Sequence, residues 1–130
     1  MPLLYFDIVE GRNQDEIKAL LDTAHAATVE AFDVPERDRY QVVTSHPSSE
    51  IVALDTGLGI DRSEQLVIIH VVSRARTPGQ KEKFFGLLAE RLQRDCGLDP
   101  GDLIVSMTEN ADEDWSFGFG RAQFVTGELH

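Results

Sequence analysis

The fold of this chain is decided by a strand-like stretch near its middle, Leu66-Val67-Ile68-Ile69-His70-Val71-Val72. β-Branched residues dominate the stretch, which is typical of a β-strand. Its apolar character is nearly continuous, and this predicts a strand buried on both faces, as in a parallel pair. We therefore place it at the centre of a sheet and interpret the rest of the chain around it.

A helix and a further strand follow this stretch. Thr77 and Gln80 match a capping box, with Pro78 at the first helical position. Leucine and phenylalanine then recur at helical spacing up to Gly97, a residue that commonly ends a helix. Residues 103–107 form the next apolar strand, so the second half of the chain reads as one β-α-β unit.

The first half of the chain repeats this order. Residues 3–9 are strand-like, Asn13 and Glu16 match a second capping box, and the helix they begin ends near Phe32. Residues 40–44 are the second strand of this unit. Two tandem β-α-β units predict an α/β (α+β) fold, with a four-stranded mixed sheet and two helices on one face. Crossovers of this length imply parallel pairing within each unit.

Two smaller elements complete the predicted fold. Residues 50–54 read as a short strand between loops, and residues 114–125 read as a short C-terminal hairpin. The hairpin segment carries the only tryptophan and three of the seven phenylalanines, which suits packing against a partner subunit. Two helices cover one face of the sheet, so the other face remains an apolar surface and we expect an oligomer.

Composition narrows the function classes. Residues 1–130 form one domain by length, and the net charge of −11 makes nucleic acid and anionic membranes poor partners. Cys96 is the only cysteine, which excludes an internal disulfide and favours a reducing cytoplasm. We expect neither a signal peptide nor a membrane span, and the four histidines lack zinc-ligand spacing, so we expect no metal.

Pro2 is the first residue with a possible chemical role. It follows the initiator Met1, which is normally removed before proline, so the mature chain would begin with a secondary amine. An α-amino group titrates at about 7.7–8.0, and such an amine can act as a base, an acid or a nucleophile toward a carbonyl. The alternative is that Pro2 simply begins a strand, where proline is tolerated.

Three further groups carry side chains suited to chemistry. Arg74 and Arg76 alternate at the end of the central strand, where paired guanidinium groups suit a carboxylate or phosphate; they could equally be solvated surface arginines. Asp38 could activate water or hold a cationic amine, or belong to a surface charge cluster. The tail aromatics could wall an apolar pocket or simply pack: they are Trp115, Phe117 and Phe124.

Together these features resemble the tautomerase superfamily and, within it, the malonate semialdehyde decarboxylase family. The resemblance covers nearly the whole chain, and its more specific parts are the Asp38-Arg39-Tyr40 segment and the tryptophan-containing tail. Other matching segments are Pro2-Leu3-Leu4, Arg74-Ala75-Arg76-Thr77 and Thr126-Gly127-Glu128-Leu129.

The resemblance implies a cofactor-independent homotrimer that converts malonate semialdehyde (3-oxopropanoate) to acetaldehyde and CO2. The family's catalytic proline, acidic residue and paired arginines match Pro2, Asp38, Arg74 and Arg76. Its apolar substrate wall matches Trp115, Phe117, Phe124 and Leu129. The alternatives within the same fold are an enol–keto tautomerase of the phenylpyruvate or 2-oxo-dienoate type and a hydratase of unsaturated acids. A binding protein in which Pro2 is incidental is the alternative outside enzymes.

Overall fold

The computed structural model describes residues 2–130, which form a four-stranded sheet with two long helices. The elements are β1 (Leu3–Val9), α1 (Gln14–Phe32), β2 (Tyr40–His46), β3 (Val67–Ser73), α2 (Pro78–Cys96), β4 (Leu103–Glu109) and a short α3 (Gln123–Thr126). The strand order is β2-β1-β3-β4; β1 pairs parallel with β2, β3 pairs parallel with β4, and β1 meets β3 antiparallel. The tandem β-α-β units and the mixed sheet are therefore confirmed.

Both long helices begin where their sequences predict. The Asn13 side chain accepts a hydrogen bond from the Glu16 amide at 2.8 Å, and the Glu16 carboxylate accepts one from the Asn13 amide at 3.1 Å. Thr77 and Gln80 make the same reciprocal pair at the start of α2. These bonds satisfy amide groups that have no partner within the helix, which is why a local motif locates a helix start so well.

The core lies between the two helices and one face of the sheet. Phe32 of α1 and Phe84 of α2 contact each other with ring centroids 4.7 Å apart. Alternate residues of the central strands point to the helices and are buried: Leu4, Phe6, Ile8, Val67, Ile69 and Val71. Both helices therefore cover the same face, as predicted, and together they close a single hydrophobic core.

The opposite face of the sheet is uncovered in the single chain. Tyr5 is 40% exposed and Val42 is 47% exposed, while β3 alternates between buried and half-buried residues. The prediction that β3 is buried on both faces is thus not met within one chain. The apolar surface expected on the second face is present, and surfaces of this kind commonly mark an interface.

Two small elements were predicted wrongly. The expected strand at residues 50–54 is absent: a 3-10 turn spans Ser48–Glu50, and the next four residues have no strand partner. Val52 and Leu54 are 78% and 80% exposed, so part of the apolar run at residues 51–54 faces solvent in this chain. An extended segment without a neighbouring strand leaves its backbone groups to water rather than to a ladder.

The expected C-terminal hairpin at residues 114–125 is also wrong. A 3-10 turn at Asp112–Asp114 and the helix α3 flank a loop in which Gly118, Phe119 and Gly120 all have positive φ. Residues 115–117 and 121–122 pair with no strand, and residues 123–126 are helical. The Gln123 side chain, instead of a strand ladder, bonds the Phe117 amide and the Gly118 carbonyl across the turn. Among residues 2–130, no helix combines the length and apolar character that crossing a bilayer requires.

Candidate active site

The topology gathers chain segments that are distant in sequence at one edge of the sheet. Leu3 pairs with Tyr40 in the parallel neighbour and with Val72 in the antiparallel neighbour. The starts of β1 and β2 therefore meet the ends of β3 and β4. This edge receives the segments that carry Pro2, Asp38 and the two arginines after β3. Asp38 and Arg74, which are 36 positions apart in the sequence, can therefore share a site.

A cavity of about 340 Å³ opens at this edge. Four of the sequence-predicted site residues line it: Asp38, Arg74, Arg76 and Leu129. The other lining residues are Phe32, Asp33, Val34, Pro35, Arg37 and His130. No motif in the sequence marked these six residues as part of the site. Most of them belong to the turn after α1, and their proximity to Asp38 in the sequence is the one signal that could have indicated them.

Of the two arginines after β3, Arg76 is the one whose charge is left uncompensated. Its Nε donates to the Ser73 hydroxyl at 3.2 Å, Nη1 donates to the Phe32 carbonyl at 3.4 Å, and the guanidinium lies 4.9 Å from the centre of the Phe32 ring. No carboxylate of residues 2–130 is in ion-pair contact with it. Burial, and then the neighbouring Arg74 charge, lower the pKa of Arg76. A desolvated cation of this kind attracts an anion more strongly than a solvated one.

Arg74 has a different environment. Its Nε lies 2.6 Å from Asp112 Oδ1, and Nη2 donates to Asp112 Oδ2 at 3.2 Å, so the two side chains form a bidentate pair. The same guanidinium lies 4.8 Å from the centre of the Phe124 ring. The two arginines of the motif are therefore unequal, because one is paired with a carboxylate and the other is not.

Asp38 lies in the turn between α1 and β2. Its amide donates to the Pro35 carbonyl at 3.0 Å, and its side chain is half-buried on the cavity wall. The buried His25 of α1 supports this turn, since its Nε2 donates to the Glu36 carbonyl at 2.8 Å. The turn that carries Asp38 is thus fixed to the core by a side chain from the helix beneath it.

Pro2 is buried, and it is not among the described residues that line the cavity. Because Leu3 pairs with Val72, the antiparallel register continues with Pro2 beside Ser73. Ser73 is itself fully buried and accepts the hydrogen bond from Arg76. Ser73 therefore links the two residues, since it is the expected neighbour of Pro2 and the hydrogen-bond partner of the Arg76 guanidinium.

The aromatic tail forms a cluster next to the arginines rather than the cavity wall itself. The rings of Trp115 and Phe117 stack at 5.3 Å, Phe117 meets Phe124 edge-on at 5.6 Å, and Tyr40 lies 5.6 Å from Phe117. The Trp115 indole donates to the Asn110 side chain at 2.8 Å. Phe124 joins this cluster to the site through its contact with Arg74.

Comparison with known proteins identifies the family. Two family models described as tautomerase enzyme match the chain, one over residues 38–118 and the other over residues 2–59. The chain is 55% identical over 129 residues to Probable tautomerase YrdN of Bacillus subtilis (strain 168), covering 99% of this chain and 100% of the relative. The chain belongs to the tautomerase family, and the resemblance inferred from its sequence is confirmed.

Two solved structures are similar over nearly the whole chain. One is malonate semialdehyde decarboxylase, studied for decarboxylase and hydratase activities: 53% identity, TM-score 0.97, covering 98% of this chain and 99% of that one. The other is FG41 malonate semialdehyde decarboxylase inhibited by 3-bromopropiolate: 44% identity, TM-score 0.94, covering 98% and 97%. A fused 4-OT symmetric trimer, 18% identical with a TM-score of 0.78 and coverage of 96% and 98%, shares the fold.

Proposed function

We propose that this enzyme decarboxylates a short 3-oxo acid, with malonate semialdehyde as substrate and acetaldehyde and CO2 as products, without a cofactor. The bond between the carboxylate carbon and the adjacent methylene breaks, and its electron pair flows into the neighbouring carbonyl to give an enolate. Protonation of the methylene carbon then gives acetaldehyde. The protein must therefore bind the carboxylate, stabilise charge on the carbonyl oxygen and exclude competing orientations.

The observation that carries this proposal is the uncompensated Arg76 guanidinium on the wall of a small cavity. A desolvated guanidinium with unused donors suits the carboxylate of a small organic acid. Arg74, on the same wall, is bound to Asp112 through Nε and Nη2, so its Nη1 group would be the donor that helps to hold the C–CO2 bond perpendicular to the carbonyl plane. A cavity of about 340 Å³ is ample for a three-carbon acid.

We propose that the Pro2 amine acts on the carbonyl group of the substrate. After removal of Met1, a protonated Pro2 amine would hydrogen-bond to the carbonyl oxygen and stabilise the developing enolate. A neutral amine would instead attack the aldehyde and form an iminium that accepts the electron pair. Asp38 would stabilise the charged amine, and the nearby arginines would oppose it. The register that continues from β1 to Pro2 beside Ser73 supports either route.

The apolar surroundings are proposed to restrict the pocket. Leu129 lines the cavity, Phe124 packs against Arg74, and Trp115 and Phe117 extend the aromatic cluster from Phe124. In this position the four side chains would limit the length of the bound acid and keep water from the enolate. The relatives named as malonate semialdehyde decarboxylase, at 53% and 44% identity, support the substrate assignment.

An enol–keto tautomerase or a hydratase is the second candidate. The 55% identical relative is named a probable tautomerase, and the 53% identical structure was studied for hydratase as well as decarboxylase activity. A tautomerase would use a neutral Pro2 amine to move a proton on an enol or 2-oxo acid, such as phenylenolpyruvate. A hydratase would use Asp38 to activate water for addition to an unsaturated acid.

We also propose that the chain works as a cytoplasmic homotrimer. The exposed apolar residues on the uncovered sheet face, with Tyr5 and Val42 among them, support burial by neighbouring copies. A solved relative of the same fold is a symmetric trimer. Sedimentation equilibrium tests the assembly: a mass three times that of the chain is expected, and a monomer at micromolar concentration would contradict it.

The experiment that tests the function is product analysis by proton NMR. Protein whose N-terminus has been checked by mass is incubated with malonate semialdehyde, phenylenolpyruvate and a 3-haloacrylic acid in parallel. Acetaldehyde formation well above the other two activities is the expected result. Faster ketonisation of phenylenolpyruvate, or hydration as the dominant reaction, would replace the proposal with the corresponding alternative.

A further inference from the structure

We propose that Asp112 determines the charge selectivity of the cavity, favouring organic acids with one carboxylate over those with two. The inference rests on the proposed function, because it concerns the same site. The Asp112 carboxylate is bound to Arg74 through both of its oxygens, at 2.6 Å and 3.2 Å. It therefore offsets the charge of one of the three arginines that line the cavity, while Arg76 is left to bind a single carboxylate.

The other charged side chains that line the cavity do not add net positive charge that would attract a second carboxylate. Arg37 lines the cavity together with two acidic residues, Asp33 and Asp38. A ligand with one carboxylate can place it on Arg76. A second carboxylate would then approach an arginine that Asp112 already occupies, and would meet the field of the cavity's own acids.

Asp112 is held in this position by the start of the tail. It opens the 3-10 turn Asp112–Asp114, and its carbonyl accepts a hydrogen bond from the Trp115 amide at 3.4 Å. Asn110, two residues earlier, is bound through its amide to the Ser73 carbonyl at 2.8 Å, next to Arg74. Backbone contacts on both sides thus place this carboxylate against the Arg74 guanidinium.

The next residue in the chain provides a matched control. Glu113 lies in the same 3-10 turn and is exposed, and no ion pair or side-chain hydrogen bond joins it to another described residue. The variants Asp112→Asn and Glu113→Gln remove the same charge one residue apart. A selectivity change caused only by the net charge of the protein would appear in both variants.

Two ligands of almost equal shape test the proposal. Malonate is a dianion near neutral pH, and malonamate, with one carboxylate replaced by an amide, is a monoanion. The dissociation constants of both are measured by titration for the intact wild-type protein, Asp112→Asn, Asp112→Glu and Glu113→Gln, at low and high salt. Thermal unfolding and the indole proton resonance of Trp115 report whether each variant keeps the fold.

The expected result is a shift in the ratio of the two constants. Asp112→Asn should favour malonate over malonamate by about fivefold relative to wild type, the size of one half-exposed charge interaction. Salt should reduce this shift because half-exposed charges are screened. Asp112→Glu should keep the wild-type preference, and Glu113→Gln should leave the ratio unchanged.

Four other results would overturn the proposal. Equal shifts in Asp112→Asn and Glu113→Gln would assign the effect to net charge. Equal weakening of both ligands in Asp112→Asn would show that Asp112 only positions Arg74. A wild-type protein that binds neither acid would overturn the proposed function together with this inference, whereas wild-type binding with an unchanged ratio in Asp112→Asn would overturn this inference alone.

Discussion

Replacing Arg76 with alanine removes the guanidinium to which we assign the substrate carboxylate. The side chain donates to the Ser73 hydroxyl and the Phe32 carbonyl, and none of the described carboxylates is paired with it. Loss of a charge-assisted bidentate contact in a partly buried site costs about 2.7 kcal/mol of transition-state stabilisation, or about 100-fold in kcat/KM. We expect a loss of at least about this size in Arg76→Ala.

The same substitution has a small effect on folding. The contact with the Phe32 ring and the two hydrogen bonds are lost, which together cost on the order of 1–2 kcal/mol. Relief of the desolvation that lowers the pKa of Arg76 offsets part of this loss. We therefore expect the unfolding free energy in urea to fall by about 1 kcal/mol or less, so the folded enzyme is available for assay.

Acetaldehyde release from malonate semialdehyde provides the assay, with kcat and KM measured separately. Arg94→Ala is the matched control, because Arg94 is an exposed arginine of α2 paired only with its neighbour Asp95. Its kinetics should equal those of wild type. Unchanged kinetics in folded Arg76→Ala would refute the assignment of the carboxylate site, and an equal loss in Arg94→Ala would assign the effect to net charge instead.

Two further predictions concern stability. Asn13→Ala should lower the unfolding free energy by about 1 kcal/mol by urea titration, because the α1 capping box is lost; an unchanged midpoint would contradict this role. The backbone amides of Gly57 and Gly59 lower the pKa of Asp55. The stability that Asp55 contributes is therefore present above about pH 4 and declines as the pH falls through its lowered pKa. Thermal melts at successive pH values should show the difference between wild type and Asp55→Ala constant from about pH 5 to 7 and shrinking below pH 4; a difference that grows in acid would contradict this.

Local sequence signals were sufficient for the long elements. The capping boxes at Asn13 and Thr77 locate the starts of both helices, since each motif satisfies amides within one turn. Gly97, with φ of 66°, ends α2 as its position predicts. The parallel pairing within each unit followed from the tandem repeat. The strand order, which only the structure gives, brings Asp38, Arg74 and Arg76 to one cavity wall.

Elements and ion pairs that need a contact with residues far away in the sequence could not be predicted from local sequence patterns. The apolar run at residues 51–54 suits a strand, but strand formation needs a neighbour and the sheet provides none there. The tail is rich in aromatic residues, yet its rings pack against one another, its backbone pairs with no strand, and residues 123–126 are helical. The pairing of Arg74 with Asp112 joins residues 38 positions apart, and no local pattern in the sequence marks it.

If an unblocked Pro2 amine drives the decarboxylation, blocking that amine must stop the formation of acetaldehyde. The most direct test compares two preparations of this chain, verified by mass: one beginning at Pro2 and one retaining Met1. Acetaldehyde formed from malonate semialdehyde is followed by proton NMR. We predict turnover only for the preparation with the free Pro2 amine, because blocking removes the group that stabilises the enolate. Equal rates of acetaldehyde formation in the two preparations would contradict the account.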